Sequence, residues 1–328
     1  MVTVGRVTAS RMAGGGRLRG DRRPGSRAIA VAVALVADRA LGEPPAGSHP
    51  VARFGQVMER VETRMWADRR GRGAAYAAVG VGSAVLIGRA LSVGPPIGQV
   101  ALLAAATYVA IAGRALEDAA RAVEEALISD DLGPARDRLR NLVGRRTADL
   151  DETEIIRATV ESVAENTVDA VVAPLLWALG AGPTGVLGYR AANTLDAMVG
   201  HRSPRYERFG WAAARVDDVA NWIPARVTAA VVMLCRPGAA GQVVEAVRRQ
   251  APAHPSPNAG VAEAAFAAAL GVQLGGVNDY AGRVERRPLL GSGGPPERCH
   301  IAEACRLSRQ VSYVCVALAA GLQLGRRR

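Results

Sequence analysis

Three segments of this chain carry carboxylate and amide side chains at spacings that place them together on helical faces. The three sets are Glu161, Glu165, Asn166 and Asp169; Asn193 and Asp196; and Asp217, Asp218 and Asn221. Hard oxygen donors of this kind suit Mg²⁺, and arginines between the segments suit phosphate groups. If a helical bundle brings the three faces together, the segment 145–226 should form a site for a metal ion and phosphates.

The acids of the first segment share one face of a predicted helix. At about 100° per residue, Glu154, Glu161, Glu165 and Asp169 fall within roughly an 80° arc, opposite an apolar stripe. Acids four residues apart repel one another, and this helix continues into an apolar run at 171–181. Carboxylates at such a boundary need partners; a solvated acidic face is the simpler alternative.

The basic residues exclude two classes of enzyme. The chain has no lysine, so all 41 basic residues are arginine, and the formal net charge is +11. A Walker A loop needs a lysine, and so does a pyridoxal phosphate enzyme. Phosphate must therefore be held by arginine, backbone amides or metal. A small basic loop at 201–211 fits phosphate better than nucleic acid, so no nucleic-acid partner is expected.

Hydropathy predicts an all-α protein, a multi-span integral membrane helical bundle with amphipathic cytosolic helices. Hydrophobic residues make up 49% of the chain and aromatic residues only 4%, a composition that suits packed helices. Apolar runs at 74–88 and 97–113 flank a Gly-Pro turn and predict a helical hairpin in the membrane. In this interpretation residues 28–325 form a single helical membrane domain.

Several local features predict where elements begin and end. Residues 1–27 contain seven arginines, one aspartate and no apolar period, which predicts a disordered basic N-terminal tail. Asp149 and Glu152 resemble a capping box at the start of the acidic helix. Further along, 258–276 is predicted to be helical and 282–298 to be a loop. The four cysteines show no CxxC spacing, so free thiols are expected.

Longer strings around the acids resemble a known family. They are TVESVAENTVD at 159–169, YRAANTLDAMVG at 189–200 and RYERFGWAAARVDDVANWIPAR at 205–226, with GEPP at 42–45, HPV at 49–51 and PNAG at 257–260. From about Asp38 to Gly291 the chain resembles the CobD/CbiB family of cobalamin biosynthesis, the membrane-bound adenosylcobinamide-phosphate synthases. Glu43 and Arg146 stand where the family usually has aspartate. Because Arg146 reverses the charge, no role is carried over to it.

This resemblance implies an amide ligase that depends on ATP and Mg²⁺. The enzyme would join adenosylcobyric acid to aminopropanol phosphate and give adenosylcobinamide phosphate. It would be a multi-pass protein of the cell membrane, with the corrinoid, aminopropanol phosphate and the lipid bilayer as partners and other late cobalamin-biosynthesis enzymes as further candidates. The residues are consistent with such chemistry, since amide formation needs an activated carboxylate and a base for the attacking ammonium.

Each predicted site residue has an expected role. The metal ligands are Glu161, Asp169, Asp196 and Asp217, and the catalytic base is Glu165 or Asp218. Substrate and phosphate binding is assigned to Asn166, Asn193, Arg202, Arg205, Arg215, Asn221 and His49. Two other classes remain open: a membrane Mg²⁺-dependent prenyl- or phospho-alcohol transferase, and a transporter or channel with intramembrane acids.

Overall fold

The computed structural model describes residues 25–45, 47–129, 131–201, 203–280 and 283–325. The helices within these ranges are α1 (Gly25–Leu41), α2 (Pro50–Met65), α3 (Arg70–Leu91), α4 (Pro96–Ala110), α5 (Gly113–Ala126), α6 (Gly133–Leu139), α7 (Glu152–Thr167), α8 (Ala173–Leu195), α9 (Trp211–Cys235), α10 (Ala240–Arg249), α11 (Ala259–Leu270) and α12 (Cys299–Gly325). A small antiparallel hairpin of β1 (Leu274–Tyr280) and β2 (Arg283–Leu290) lies between α11 and α12. The predicted tail lies outside the described residues except for 25–27, which form the first turn of α1.

The chain is a helical membrane protein, as the hydropathy predicts. Four helical stretches among the described residues are long and apolar enough to cross a membrane, namely Arg70–Leu91, Pro96–Ala126, Glu152–Gly200 and Trp211–Cys235. Their outer faces expose large apolar side chains such as Leu86 on α3 and Ile223 on α9. Exposed apolar side chains of this size on long helices suit contact with lipid tails.

The two helices of the predicted membrane hairpin form, but their packing partner is α8. Helix α3 packs along α8, and α4 packs against α1 and α8, whereas α3 and α4 contact each other little. Gly88 of α3 allows this approach, because a Cβ there would lie 2.5 Å from the Cα of Thr184. Small residues let helix backbones come close together in membranes. Helix α8 is therefore the centre of this part of the bundle.

The long stretch from α7 to Gly200 is interrupted at three places. A π-helical turn spans Val168–Val172 between α7 and α8, and a second one spans Asp196–Gly200 after α8. Pro174 accounts for the first, because proline has no N–H for the helix and its ring crowds the carbonyl four residues earlier. Gly182, with φ 64°, breaks α8 immediately before Pro183. The two π turns carry Asp169 and Asp196, and such turns often occur at functional sites.

Three predicted boundaries are wrong. The capping box of α7 is formed by Asp151 and Glu154, two residues after the predicted pair. Helix α11 ends at Leu270, where Gly271 adopts a left-handed conformation with φ 70°, and not near residue 276. The predicted loop at 282–298 contains β2. Helix α7 stabilises the hairpin, because Arg157 donates hydrogen bonds to the carbonyl oxygens of Gly275 and Val277.

Candidate active site

A cavity of about 210 Å³ lies where α7, α8 and α9 meet the loop before α11. Five acidic residues line it among those that the structure describes: Glu165, Asp169, Asp196, Asp217 and Asp218. Asn221, Ser256 and Asn258 add polar groups. Members of all three predicted sets therefore share one cavity, and we name it the acidic cavity.

The π turns and the loop before α11 position this lining. Asp169 lies on the first π turn and Asp196 on the second. Both carboxylates are therefore attached to the wider π-helical backbone and not to regular α-helix. Asn258, at the start of α11, donates from Nδ2 to the carbonyl oxygen of Asp218 at 2.8 Å. Its Oδ1 accepts a hydrogen bond from Arg226 of α9 at 3.0 Å. The loop is thereby fastened to α9 across the cavity.

Asp217 is buried and held by amide groups. Asn221 donates to Asp217 Oδ2 at 3.0 Å, and Asn193 donates to Asp217 Oδ1 at 3.3 Å. The Tyr189 hydroxyl donates to Asn221 Oδ1 at 2.9 Å and lies 3.0 Å from the carbonyl oxygen of Asp169. These bonds link α8, α9 and the first π turn, so they fix the orientation of one carboxylate before any ligand arrives.

The acidic cavity has little positive charge of its own. None of the described residues lining it is an arginine. Arg215 comes within 3.9 Å of Asp218 Oδ2, but 75% of its side chain is exposed, so solvent screens the pair. Neither Asp169 nor Asp196 receives a side-chain hydrogen bond from the described residues. Several carboxylates in a confined space repel one another unless a cation or protons relieve them.

The donors of the acidic cavity fit a magnesium ion that is bound together with phosphate. Within the described part of the chain, no group of three His, Cys, Asp or Glu side chains is arranged to hold a metal ion by itself. Mg²⁺ usually takes one or two carboxylates and completes its shell with water and substrate phosphate oxygens. Carboxylates such as Asp169 and Asp196 would hold such an ion, and Asp218 of α9 lines the same cavity.

Glu161 and Asn166, predicted site residues of the first segment, do not line the acidic cavity. Glu161 lies one turn before Glu165 on α7, where its carboxylate accepts hydrogen bonds from Arg145 at 2.8 Å and from the Gly275 amide at 2.8 Å. Asn166 donates to the carbonyl oxygen of Ser162 at 2.9 Å. Glu165 is thus the residue of α7 that lies beside Asp169 in the cavity.

The predicted phosphate ligands lie elsewhere. Arg205 pairs with Glu62 of α2 at 3.1 Å and stacks over Trp66. Arg215 is directed largely to solvent. His49 caps α2, accepting from the Val51 amide at 3.2 Å. Arg202 lies outside the described residues.

Sequence reasoning missed Asn258, Tyr189 and the loop at 254–258. The PNAG and YRAAN strings contain two of these residues but give no indication that Asn258 lines the cavity or that Tyr189 bonds to Asn221, because the contacts join distant parts of the chain. His254 precedes the lining residues, and burial lowers its pKa below the ordinary histidine value despite an opposing hydrogen bond with Ser256. The Nδ1 atom of His254 lies 3.1 Å from both the amide nitrogen and the carbonyl oxygen of Ser256, so the ring is held under the loop.

Comparison with known proteins agrees with this architecture. A family model described as CobD/Cbib protein matches residues 31–308. The chain is 46% identical over 306 residues to cobalamin biosynthesis protein CobD of Mycobacterium tuberculosis, covering 92% of this chain and 97% of that protein. Proteins of the same name from Chromobacterium violaceum and Rhodobacter capsulatus are 42% and 40% identical over 91% and 86% of this chain, and over 98% and 93% of their own lengths. No solved structure matches the chain significantly.

The fold and the cavity define a helical membrane protein with an oxygen-rich acidic site among its helices. The chain belongs to the CobD/CbiB family of cobalamin biosynthesis, which confirms the resemblance found in the sequence. The similarity extends over nearly all of the described helices, and the segment 145–226 lies inside it.

Proposed function

We propose that this protein is an amide ligase of the cell membrane that joins adenosylcobyric acid to aminopropanol phosphate with consumption of ATP. The observation that carries the proposal is the acidic cavity, in which carboxylates from three separate helical segments meet beside apolar helix surface. Membership of the CobD/CbiB family supports the pathway. A multi-pass location also suits the corrinoid substrate, which is large and amphipathic.

Mg²⁺ and ATP together would supply activation of the corrinoid carboxylate and neutralise charge on the transferred phosphoryl group. The chain's own part is to hold the reacting groups in place. Asp169, Asp196 and Asp217 face one space from three directions, and Asn193 and Asn221 fix the orientation of Asp217. Prior orientation of ligands lowers the entropy that must be lost when the reactants meet.

Glu165 is the better placed of the two bases predicted for the attacking ammonium. Glu165 lines the acidic cavity and also a second, smaller cavity beside the preceding turns of α7. Asp218 lines only the acidic cavity, and it lies 3.9 Å from the largely exposed Arg215. A base must reach the proton that it removes, so a position between two cavities favours Glu165.

The test is a direct assay with the purified protein in detergent. The reaction contains adenosylcobyric acid, aminopropanol phosphate, ATP and Mg²⁺, and mass spectrometry detects the amide product. Formation of adenosylcobinamide phosphate with stoichiometric loss of ATP is the expected result. A lipid product formed without ATP would favour the transferase instead, and ion flux through vesicles without bond formation would favour a channel.

Matched variants connect the assay to the cavity. Glu165→Gln should abolish most of the ligation. Asp137→Asn changes an acid of α6 whose side chain is 68% exposed and pairs with Arg140, so it should react like the unchanged protein. Full activity in Glu165→Gln would remove Glu165 from the mechanism.

A further inference from the structure

A second cavity lies behind the acidic cavity, on the other side of Glu165. It has a volume of about 100 Å³ and lies between α7, the segment 142–145 and β2. Its polar lining consists of Arg145, Glu161, Ser162, Glu165 and Arg287. Glu165 is the one described residue that lines both cavities. The two spaces are therefore neighbours, with a carboxylate at their boundary.

The two cavities differ in the charge of the side chains that line them. Acids and amides line the acidic cavity, whereas the second cavity has the guanidinium groups of Arg145 and Arg287. The side chains of these arginines are only 4% and 17% exposed. Arginine forks match the geometry of phosphate oxygens, and their attraction for an anion is strong where water is excluded.

Arg145 retains hydrogen-bonding capacity in its buried position. One terminal nitrogen donates to Glu161 at 2.8 Å, and the other donates to Asn278 of β1. Its Nε is buried and has no hydrogen-bond partner among the described residues. A guanidinium carries five N–H donors, and a buried donor without an acceptor is destabilising. An anion in the second cavity would supply acceptors for it.

The carboxylate of Glu161 does not prevent anion binding, because its own charge is offset. It accepts from the Gly275 amide at 2.8 Å and lies 3.9 Å from Arg157 as well as bonding Arg145. Arg287 lies 3.6 Å from the buried Glu263, which is also 3.7 Å from Nε2 of His254. The second cavity thus contains guanidinium groups held in place by surrounding acids.

We propose that Arg145 and Arg287 form the phosphate subsite for an aminoalkyl phosphate, whose ammonium group lies at Glu165. This inference rests on the proposed ligase function. A zwitterion of this kind matches the order of charges along the two cavities, with phosphate at the arginines and ammonium at the acids. The amine would then face the acidic cavity, where the activated carboxylate is formed.

The hairpin is essential to this subsite. Arg145 comes from the segment before α7, and Arg287 comes from β2, more than a hundred residues later in the chain. Arg145 joins the hairpin to the segment before α7 through Asn278, and Arg157 joins it to α7 through Gly275. With the hairpin held there, Arg287 lines the same cavity as Arg145.

Calorimetry on the detergent-purified protein, without ATP or corrinoid, tests this subsite. It measures the binding of three ligands: aminopropanol phosphate, inorganic phosphate and unphosphorylated aminopropanol. We expect the two phosphates to bind and Arg145→Gln or Arg287→Gln to weaken that binding roughly tenfold or more. Arg146→Gln and Arg286→Gln change neighbouring exposed arginines and should bind like the unchanged protein.

The outcomes separate the subsite from the ligase function. Unchanged phosphate binding in both Arg145→Gln and Arg287→Gln overturns the subsite, whether or not the protein ligates. Loss of binding in these variants supports the subsite even if no amide is formed. No phosphate binding by the unchanged protein overturns it as well.

A folding control accompanies the Arg145 variant. Arg145→Gln leaves Glu161 with one partner fewer, so Arg145→Gln combined with Glu161→Gln removes both charges of the pair. Size-exclusion chromatography and the melting temperature show which variants are folded. If both Arg145 variants aggregate, Arg287→Gln decides the result alone.

Discussion

Glu117 and the acidic cavity bury carboxylates in two opposite ways. Glu117 of α5 has a side chain that is 7% exposed and is contacted by Arg39 of α1, by Arg309 of α12 at 3.0 Å and by Arg121 at 3.8 Å. In the acidic cavity, five acids share a space that no described arginine lines. One buried carboxylate is thus paired with three guanidinium groups, whereas the cavity brings five acidic residues together in one space.

The difference separates a structural cluster from a functional one. Glu117 joins three helices, and its charge is satisfied within the fold, so it has nothing left to offer a ligand. Crowded carboxylates in a cavity destabilise the free protein, and they are relieved when a cation binds. Neutralising an acid should therefore have opposite effects in the two regions. In the cavity it should abolish activity and spare stability, while at Glu117 it should do the reverse.

The largest expected effect is on activity in the acidic cavity. Asp169→Asn keeps the shape of the side chain but removes one charge from the cluster. We expect ligation to fall by roughly 100-fold or more, because a ligand for metal and phosphate contributes several kcal/mol to the transition state. The melting temperature should stay the same or rise. Steady-state rates and thermal unfolding in the same detergent provide the measurement.

The second prediction is that neutralising Glu117 lowers stability and leaves activity unchanged. Glu117→Ala leaves Arg39, Arg121 and Arg309 facing one another without their common partner. We expect a loss of about 2–3 kcal/mol in the free energy of unfolding, less than for a fully buried pair because two of the arginines are partly hydrated. The rate per folded molecule should be retained. Glu125→Ala, an exposed acid of the same helix, is the control.

A magnesium titration tests the same comparison between the acidic cavity and Glu117, through a smaller change in stability. With ATP present to supply phosphate oxygens, the free energy of unfolding should rise by about 1.4 kcal/mol when free Mg²⁺ is tenfold above its Kd. The increase should persist in Glu117→Ala and disappear in Asp169→Asn, since only the latter removes a cavity acid. Thermal unfolding of the three proteins measures the increase. An equal increase in all three would place the ion outside the acidic cavity.

The smallest expected effect concerns the support of the cavity. Tyr189→Phe removes the hydroxyl that bonds Asn221 and approaches the Asp169 carbonyl. We expect about 1 kcal/mol lower stability and a several-fold lower kcat with little change in the KM for ATP. Tyr313→Phe changes a tyrosine that is 49% exposed and should have no effect on either quantity. A normal kcat in Tyr189→Phe would show that Asn221 orients Asp217 without help.

Much of the fold follows from local pattern. The runs at 74–88 and 97–113 become α3 and α4 because apolar length alone makes a helix suitable for a bilayer. The hairpin after α11 was not predicted because its strands lack a clear local pattern. Gly275 and Gly276 weaken any strand pattern, and the strands are held mainly by each other and by Arg157, contacts that no short window of sequence contains.

The site divides in the same way. Helical spacing finds the cavity acids segment by segment, because each has polar neighbours three or four residues away on its own helix: Asp169, Asp196, Asp217 and Asp218. Spacing also groups Glu161 with Glu165, and both line the second cavity, but only Glu165 also lines the acidic cavity. The two residues lie about 40° apart around α7 and one turn apart along it, and spacing alone does not show at which turn one cavity gives way to the next.

The sequence by itself determined the membrane helices, the family and the identity of most of the acids, because each depends on residues that are close together in the chain. Only the tertiary structure decided that these acids share a cavity, that Asn258 closes it, and that Arg145 and Arg287 lie behind Glu165. The reason is physical. A side chain's neighbours across a bundle are set by how helices cross and where they bend, and that geometry is a property of the whole packed chain.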